Sequence, residues 1–120
     1  MKKLFFFLFL ATVYFCSANS DIEQILINFA SAVDAYNHKD INTLMSYYSL
    51  HYMEDGENYS EHKAHFIKKF NSTDFKPMNY TVKSINVDGN KAQLFYLWEN
   101  DDDTEENDWI KENGTWLMCG

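Results

Sequence analysis

From residue 21 onward the apolar positions Ile22, Ile25, Leu26, Phe29, Val33 and Tyr36 recur at spacings of three and four. That is the period of one face of an amphipathic helix. Ser20 or Asp21 is placed to cap its start, where an acid also suits the helix dipole. The segment "NHKD" ends it, and Asp40 caps a shorter helix carrying Ile41, Leu44, Met45 and Tyr48. These two helices form a hairpin with a tight joint.

The stretch "HYMEDGENY" (51–59) follows. Ser60 can cap a third helix bearing Phe66, Ile67 and Phe70, which "NSTDFKP" breaks. Beyond the single proline, Pro77, the pattern changes. "NYTVKSINV" and "KAQLFYLWEN" are rich in β-branched and aromatic residues, with Asp88 and Gly89 as a hairpin signal between them. A second hairpin turns at Asn113 and Gly114, between "DWIKE" and "TWLMC". Helices first and antiparallel strands after predict an α+β layer structure.

Both faces of "KAQLFYLWEN" are apolar: Ala92, Leu94, Tyr96 and Trp98 on one, Phe95 and Leu97 on the other. Helices cover one face of a two-layer sheet, so the second face is expected to meet another subunit, giving a homodimer.

The helix ending in "YNHKD", the short helix "INTLMSYYS", the strand-like "YMEDG", a third helix and strands closing on "WIKENGTWLM" occur in a telling order. Over residues 21–120 the chain resembles the nuclear transport factor 2-like superfamily, in particular its small SnoaL-like and ketosteroid-isomerase-like members. The resemblance implies a cone: a curved antiparallel sheet wraps the N-terminal helices and leaves a pocket at the open end. Members use that pocket for isomerisation, dehydration, cyclisation or epoxide hydrolysis, or only to bind ligands, or serve as dimerisation and immunity modules, so the fold does not settle the function.

By the same resemblance, Asp55 stands where isomerase-like members carry a carboxylate base, and Asp108 where they keep a protonated acid. The tyrosine donor of the first helix would fall at Ala32, which has no hydroxyl, and Tyr36 lies one turn later. A base at Asp55 would need apolar walls to raise its pKa, which Tyr48, Tyr52 and Phe66 could supply. "EDG" is also ordinary turn chemistry. A pocket lined by Phe29, Val33, Tyr36, Tyr48, Tyr52, Phe66, Trp98, Trp109 and Trp116 could hold a flat apolar ligand.

Composition narrows the partners. The opening "MKKLFFFLFLATVYFCSANS" has a basic start, a short apolar run and small residues before Asp21. This is the anatomy of a secretory signal peptide, residues 1–20, with cleavage after Ala18 or Ser20. The apolar run falls short of the ~20 residues of a spanning helix, so a secreted or periplasmic protein without a stable membrane anchor is expected. The remaining 100 residues suffice for one domain, residues 21–120. Cys119 would be its lone thiol, with no intramolecular disulfide.

The formal net charge is −8, and all ten basic residues are lysine. Without a basic footprint, nucleic acid is a poor partner. Without arginine, bidentate capture of a phosphate or carboxylate is disfavoured. Neutral, apolar or cationic ligands fit better. "EHKAH" (61–65) has histidines three apart but no evident third ligand, so no metal and no cofactor is expected. "ENDDDTEEND" (99–108) carries seven acids in ten residues without a glycine bend and reads as a solvated loop between strands.

The leading expectation is a non-catalytic domain that binds a small apolar molecule or a protein partner. A lyase or isomerase using Asp55 and Asp108 is the second. An immunity or assembly protein acting through its sheet face or acidic loop is the third.

Overall fold

The structure, a computed structural model, describes the backbone of residues 2–99 and 101–120, and side chains from Ser20 onward apart from residue 100. The expected leader therefore lies almost wholly outside the described side chains. Its backbone continues the first helix, α1 (Lys2–Asn37). Among the described residues no helix is long and apolar enough to cross a membrane.

The buried stripe of α1 is Ile25, Phe29, Ala32, Val33 and Tyr36, spaced for one helical face. Ile22 and Leu26, expected on that stripe, are each 37% exposed, because the sheet reaches only the Ile25 side of the helix there. Asp21 does not act as a cap. It lies inside the continuous helix, where its Oδ1 accepts from Lys111 Nζ at 2.9 Å and from Trp116 Nε1 at 3.1 Å. Helix α2 (Ile41–Met45) is capped by Asp40, which accepts from the Thr43 amide, as the sequence predicts. Tyr48 falls past its end and bridges in parallel to Met118.

A two-residue hairpin joins β1 (Met53–Glu54) to β2 (Glu57–Asn58). Asp55 and Gly56 occupy its turn with φ of 49° and 80°. Positive φ at both central residues belongs to the turn that matches the twist of paired strands. Helix α3 (Tyr59–Phe70) is capped by Asn58 rather than by Ser60. The Asn58 side chain accepts from the Glu61 amide while Glu61 reaches back to the Asn58 amide, a reciprocal box that satisfies two end donors.

Four strands form one antiparallel sheet in sequential order: β3 (Tyr80–Asp88), β4 (Lys91–Trp98), β5 (Thr104–Glu112) and β6 (Thr115–Met118). A register shift between Val82 and Ser84 bends β3. Much of the expected acidic loop is strand, since β5 begins at Thr104 and pairs Glu105 with Tyr96 and Asn107 with Leu94. Side chains alternate along a strand, so Ala92, Leu94, Tyr96 and Trp98 face the helices together with Trp109, Asn107 and Glu105.

Past β6 the chain stays tied at both sides. The Met53 amide donates to the Cys119 carbonyl at 3.1 Å, and the Asp108 amide donates to the Gly120 carbonyl at 2.9 Å. The last strand and the residues after it are thus clasped by residues 47–53 on one side and β5 on the other. Cys119 is half-buried, and burial pushes its thiol up from the ordinary value.

Candidate functional site

Helix α1 and the concave face of the sheet do not close on each other along their whole length. Between them, with α3 at one side, lies a half-enclosed cavity of about 310 Å³. That is at the low end of the roughly 300–1,000 Å³ typical of small-molecule sites. Phe29, Ala32, Val33 and Tyr36 of α1 form one wall, and Tyr96 and Trp98 of β4 face them. The rings interlock edge-on: Tyr36 meets Phe66 at 5.8 Å and 70°, and Tyr48 meets Tyr52 at 5.4 Å and 75°. Such arrangements suit the charge distribution of aromatic rings and hold a wall rigid.

The polar lining comes from three places. On the β1–β2 hairpin, Tyr52 donates its phenol hydrogen to Glu54 Oε2 at 2.7 Å. Burial and that bond push the Tyr52 phenol well above the ordinary tyrosine range. Burial raises Tyr48 too, with added repulsion from Tyr96, Glu54 and Tyr36, so these groups crowd one region of the cavity.

On α3, His62, Phe66 and Phe70 are spaced four apart and share one face. The His62 ring stacks on Tyr52, with centroids 4.4 Å apart and planes 22° apart, and meets Phe66 edge-on at 4.4 Å. Its Nδ1 lies 2.5 Å from Glu57 Oε1, and only 16% of its side chain is exposed. Glu57 Oε2 lies 3.5 Å from His65 Nδ1, so one carboxylate serves both histidines of "EHKAH".

The hydrogen bond from His62 holds the Glu57 carboxyl below the usual carboxylate range. Burial holds His62 below the ordinary histidine value, against the opposing pull of Glu57. At neutral pH a charged Glu57 therefore accepts a hydrogen from the Nδ1 of a neutral imidazole. The ring's lone pair is then on Nε2.

On β5, Asn107 lines the cavity with a buried Oδ1 that has no hydrogen-bond partner. Burial raises Tyr96, opposed in part by hydrogen bonding from Trp98 and Asn107. Glu105 also faces the cavity, and Lys69 of α3 is its one lysine among the described residues.

Of the residues expected to bind a ligand, Phe29, Val33, Tyr36, Tyr48, Tyr52, Phe66 and Trp98 line this cavity. Trp109 and Trp116 do not: they are core side chains, 1% and 0% exposed. The two expected acids miss the cavity by one residue each. Asp55 is exposed in the hairpin turn, and its neighbour Glu54 lines the cavity instead. Asp108 pairs with Gln93 on the outer face, beside Lys91 and Cys119, while Asn107 faces inward. In each case the turn or strand alternation sets the side, and a one-residue offset reverses it.

His62 and Glu57 lie outside the expected site residues. The sequence signal for His62 is its register with Phe66 and Phe70, four residues apart on one helix face, which the metal-like spacing of "EHKAH" masks. Among the described residues, no group of three or more His, Cys, Asp or Glu side chains gathers to hold a metal ion.

No family model matches the chain, and no curated protein does. Solved structures do. An NTF2-like protein of unknown function from Shewanella oneidensis is 17% identical, with a TM-score of 0.62, over 82% of this chain and 94% of that one. A ketosteroid isomerase-like protein from Erwinia carotovora is 16% identical, with a TM-score of 0.61, over 84% and 92%. An NTF2-like protein from Streptomyces avermitilis, named as a candidate dehydratase, is 13% identical, with a TM-score of 0.64, over 84% and 93%. At these identities the likeness is one of fold. The chain has the nuclear transport factor 2-like fold: an α+β cone in which N-terminal helices pack on a four-stranded antiparallel sheet.

Proposed function

We propose that the mature protein is a secreted or periplasmic binding domain that holds a small, largely apolar molecule in the cavity, without catalysis. The observation that carries this is the cavity of about 310 Å³ walled by tyrosine, phenylalanine and tryptophan rings. A titration of the purified protein with the neutral fluorophore N-phenyl-1-naphthylamine tests it. Saturable, blue-shifted emission is expected, and it should be lost in Ala32→Phe, which fills the cavity from α1. Emission that never saturates, or that survives Ala32→Phe in a folded protein, sinks the reading.

The Glu57–His62 pair supports a second reading, a lyase or isomerase. Here Nε2 of His62, rather than Asp55, would take a proton from the ligand, with Glu57 holding the ring. The isomerase-like and dehydratase-candidate names of the fold neighbours are in keeping with that class. Exchange of the α-hydrogens of 2-tetralone in D₂O, followed by NMR, tests it. This reading requires exchange above the buffer rate that His62→Gln abolishes, and no exchange at saturating ketone removes it.

We also infer a homodimer through the outer sheet face, where Phe95 and Leu97 of β4 and Ile110 of β5 are only half-buried within one chain. Light scattering at micromolar concentration should give twice the protomer mass, and a Phe95→Glu variant should halve it. A monodisperse wild-type monomer contradicts the inference.

A further inference from the structure

The rings of the cavity are permissive, so its polar atoms choose the ligand. Phenols can donate or accept and do not set a sign. The remaining polar groups do. Glu54 presents a carboxylate already bonded on one side by Tyr52, leaving further acceptor capacity. Asn107 Oδ1 is buried with no partner. His62 spends Nδ1 on Glu57 and keeps an acceptor at Nε2. Glu105 adds a second carboxylate against the single Lys69.

Acceptors outnumber fixed donors, and a buried acceptor without a donor carries a desolvation cost. Around them stand Tyr36, Tyr48, Tyr52, Phe66, Tyr96 and Trp98, whose ring faces attract cations.

We propose that the ligand of this cavity is an organic cation, a protonated amine on a small apolar body, whose N–H groups are held by Glu54 and Asn107 Oδ1. This rests on the binding reading given above and narrows it. The amine enters past the carboxylates at the mouth, and its apolar part packs on the α1 wall at Ala32 and Val33. Lys69 and the absence of arginine leave an anion a single cationic partner among the lining residues.

Three probes with the same ring system separate the possibilities: 1-naphthylmethylamine (cation), 1-naphthalenemethanol (neutral) and 1-naphthoate (anion). Isothermal titration of the purified protein at pH 7 should rank them in that order, the amine about tenfold tighter than the alcohol, as one charge-assisted hydrogen bond allows. The advantage should shrink in high salt, and in both Glu54→Gln and Asn107→Ala, with alcohol binding kept. Alcohol binding equal to or tighter than amine binding overturns this inference and leaves the binding reading standing. So does an amine advantage untouched by both substitutions. Failure of all three probes to bind overturns both.

Discussion

His62 lies flat against Tyr52, ring centroids 4.4 Å apart, and the Tyr52 hydroxyl in turn bonds Glu54 at 2.7 Å. One tyrosine thus sets the position of a histidine through its face and of a carboxylate through its edge. Tyr52→Phe keeps the stack and loses only the bond, so it should cost about 1 kcal/mol or less of stability. Tyr52→Ala removes both and should cost about 3–5 kcal/mol. Urea unfolding of the two variants measures the difference. Equal costs would mean that the stack contributes nothing.

Asp55 sits at φ 49° in a turn, with no part in the cavity. Asn tolerates that left-handed conformation and valine does not. Asp55→Asn should leave stability within about 0.5 kcal/mol of wild type and ligand binding unchanged. Asp55→Val should cost about 1–2 kcal/mol through the backbone alone. Loss of function in Asp55→Asn, with the fold intact, would return this residue to the site.

The contrast between Asp55 and Glu54 marks the limit of what the sequence makes legible. Helix periodicity, the Asn113 and Gly114 turn and the alternation in β4 together give the α+β cone and most of its aromatic wall. Those signals report which side of an element faces inward, and they are strong wherever apolar residues repeat. Polar residues carry no such label. The side on which Glu54, Asp55, Asn107 or Asp108 emerges depends on hairpin register, and one residue decides it. The acidic run 99–108 reads as loop because charge masks its alternation. In the fold, β4 provides the pairing that turns Glu105, Glu106 and Asn107 into strand. The Asp21 contacts join residues 90 and 95 positions apart, which no local pattern anticipates.

Hydrogen bonds from Lys111 and Trp116 hold the Asp21 carboxyl below the usual carboxylate range. Its folded pKa is depressed, so its contribution is complete above the unfolded value of about 3.9 and is lost as pH falls through the folded value. Asp21→Asn should therefore lower the melting temperature at pH 7, and the gap to wild type should narrow as pH falls below about 4. A constant gap across that range, read by thermal denaturation, would show that the charge of Asp21 is not the source.

His62 shifts stability with pH in the same direction as Asp21, in a higher pH window. Burial depresses its folded pKa, with Glu57 and Glu54 pulling upward and His65 pushing down. The neighbouring Tyr48 and Tyr52 phenols, pushed upward, stay uncharged in this range. Below the unfolded value of about 6.5 the unfolded chain binds a proton that the folded chain resists. Stability should fall as pH drops through that value towards the folded one. His62→Gln should flatten the melting temperature just below about pH 6.5. An unchanged slope would place the titration elsewhere.

The cavity itself is tested most directly through its methionines. Met78 and Met118 line it, Met45 is buried away from it, and Met53 is 56% exposed on the hairpin. With ¹³C-labelled methionine methyl groups, titration with 1-naphthylmethylamine should shift the Met78 and Met118 resonances saturably, leaving Met53 in place. Shifts at Met53 alone, or none at Met78 and Met118 while the ligand binds, would contradict the assignment of this cavity as the binding site.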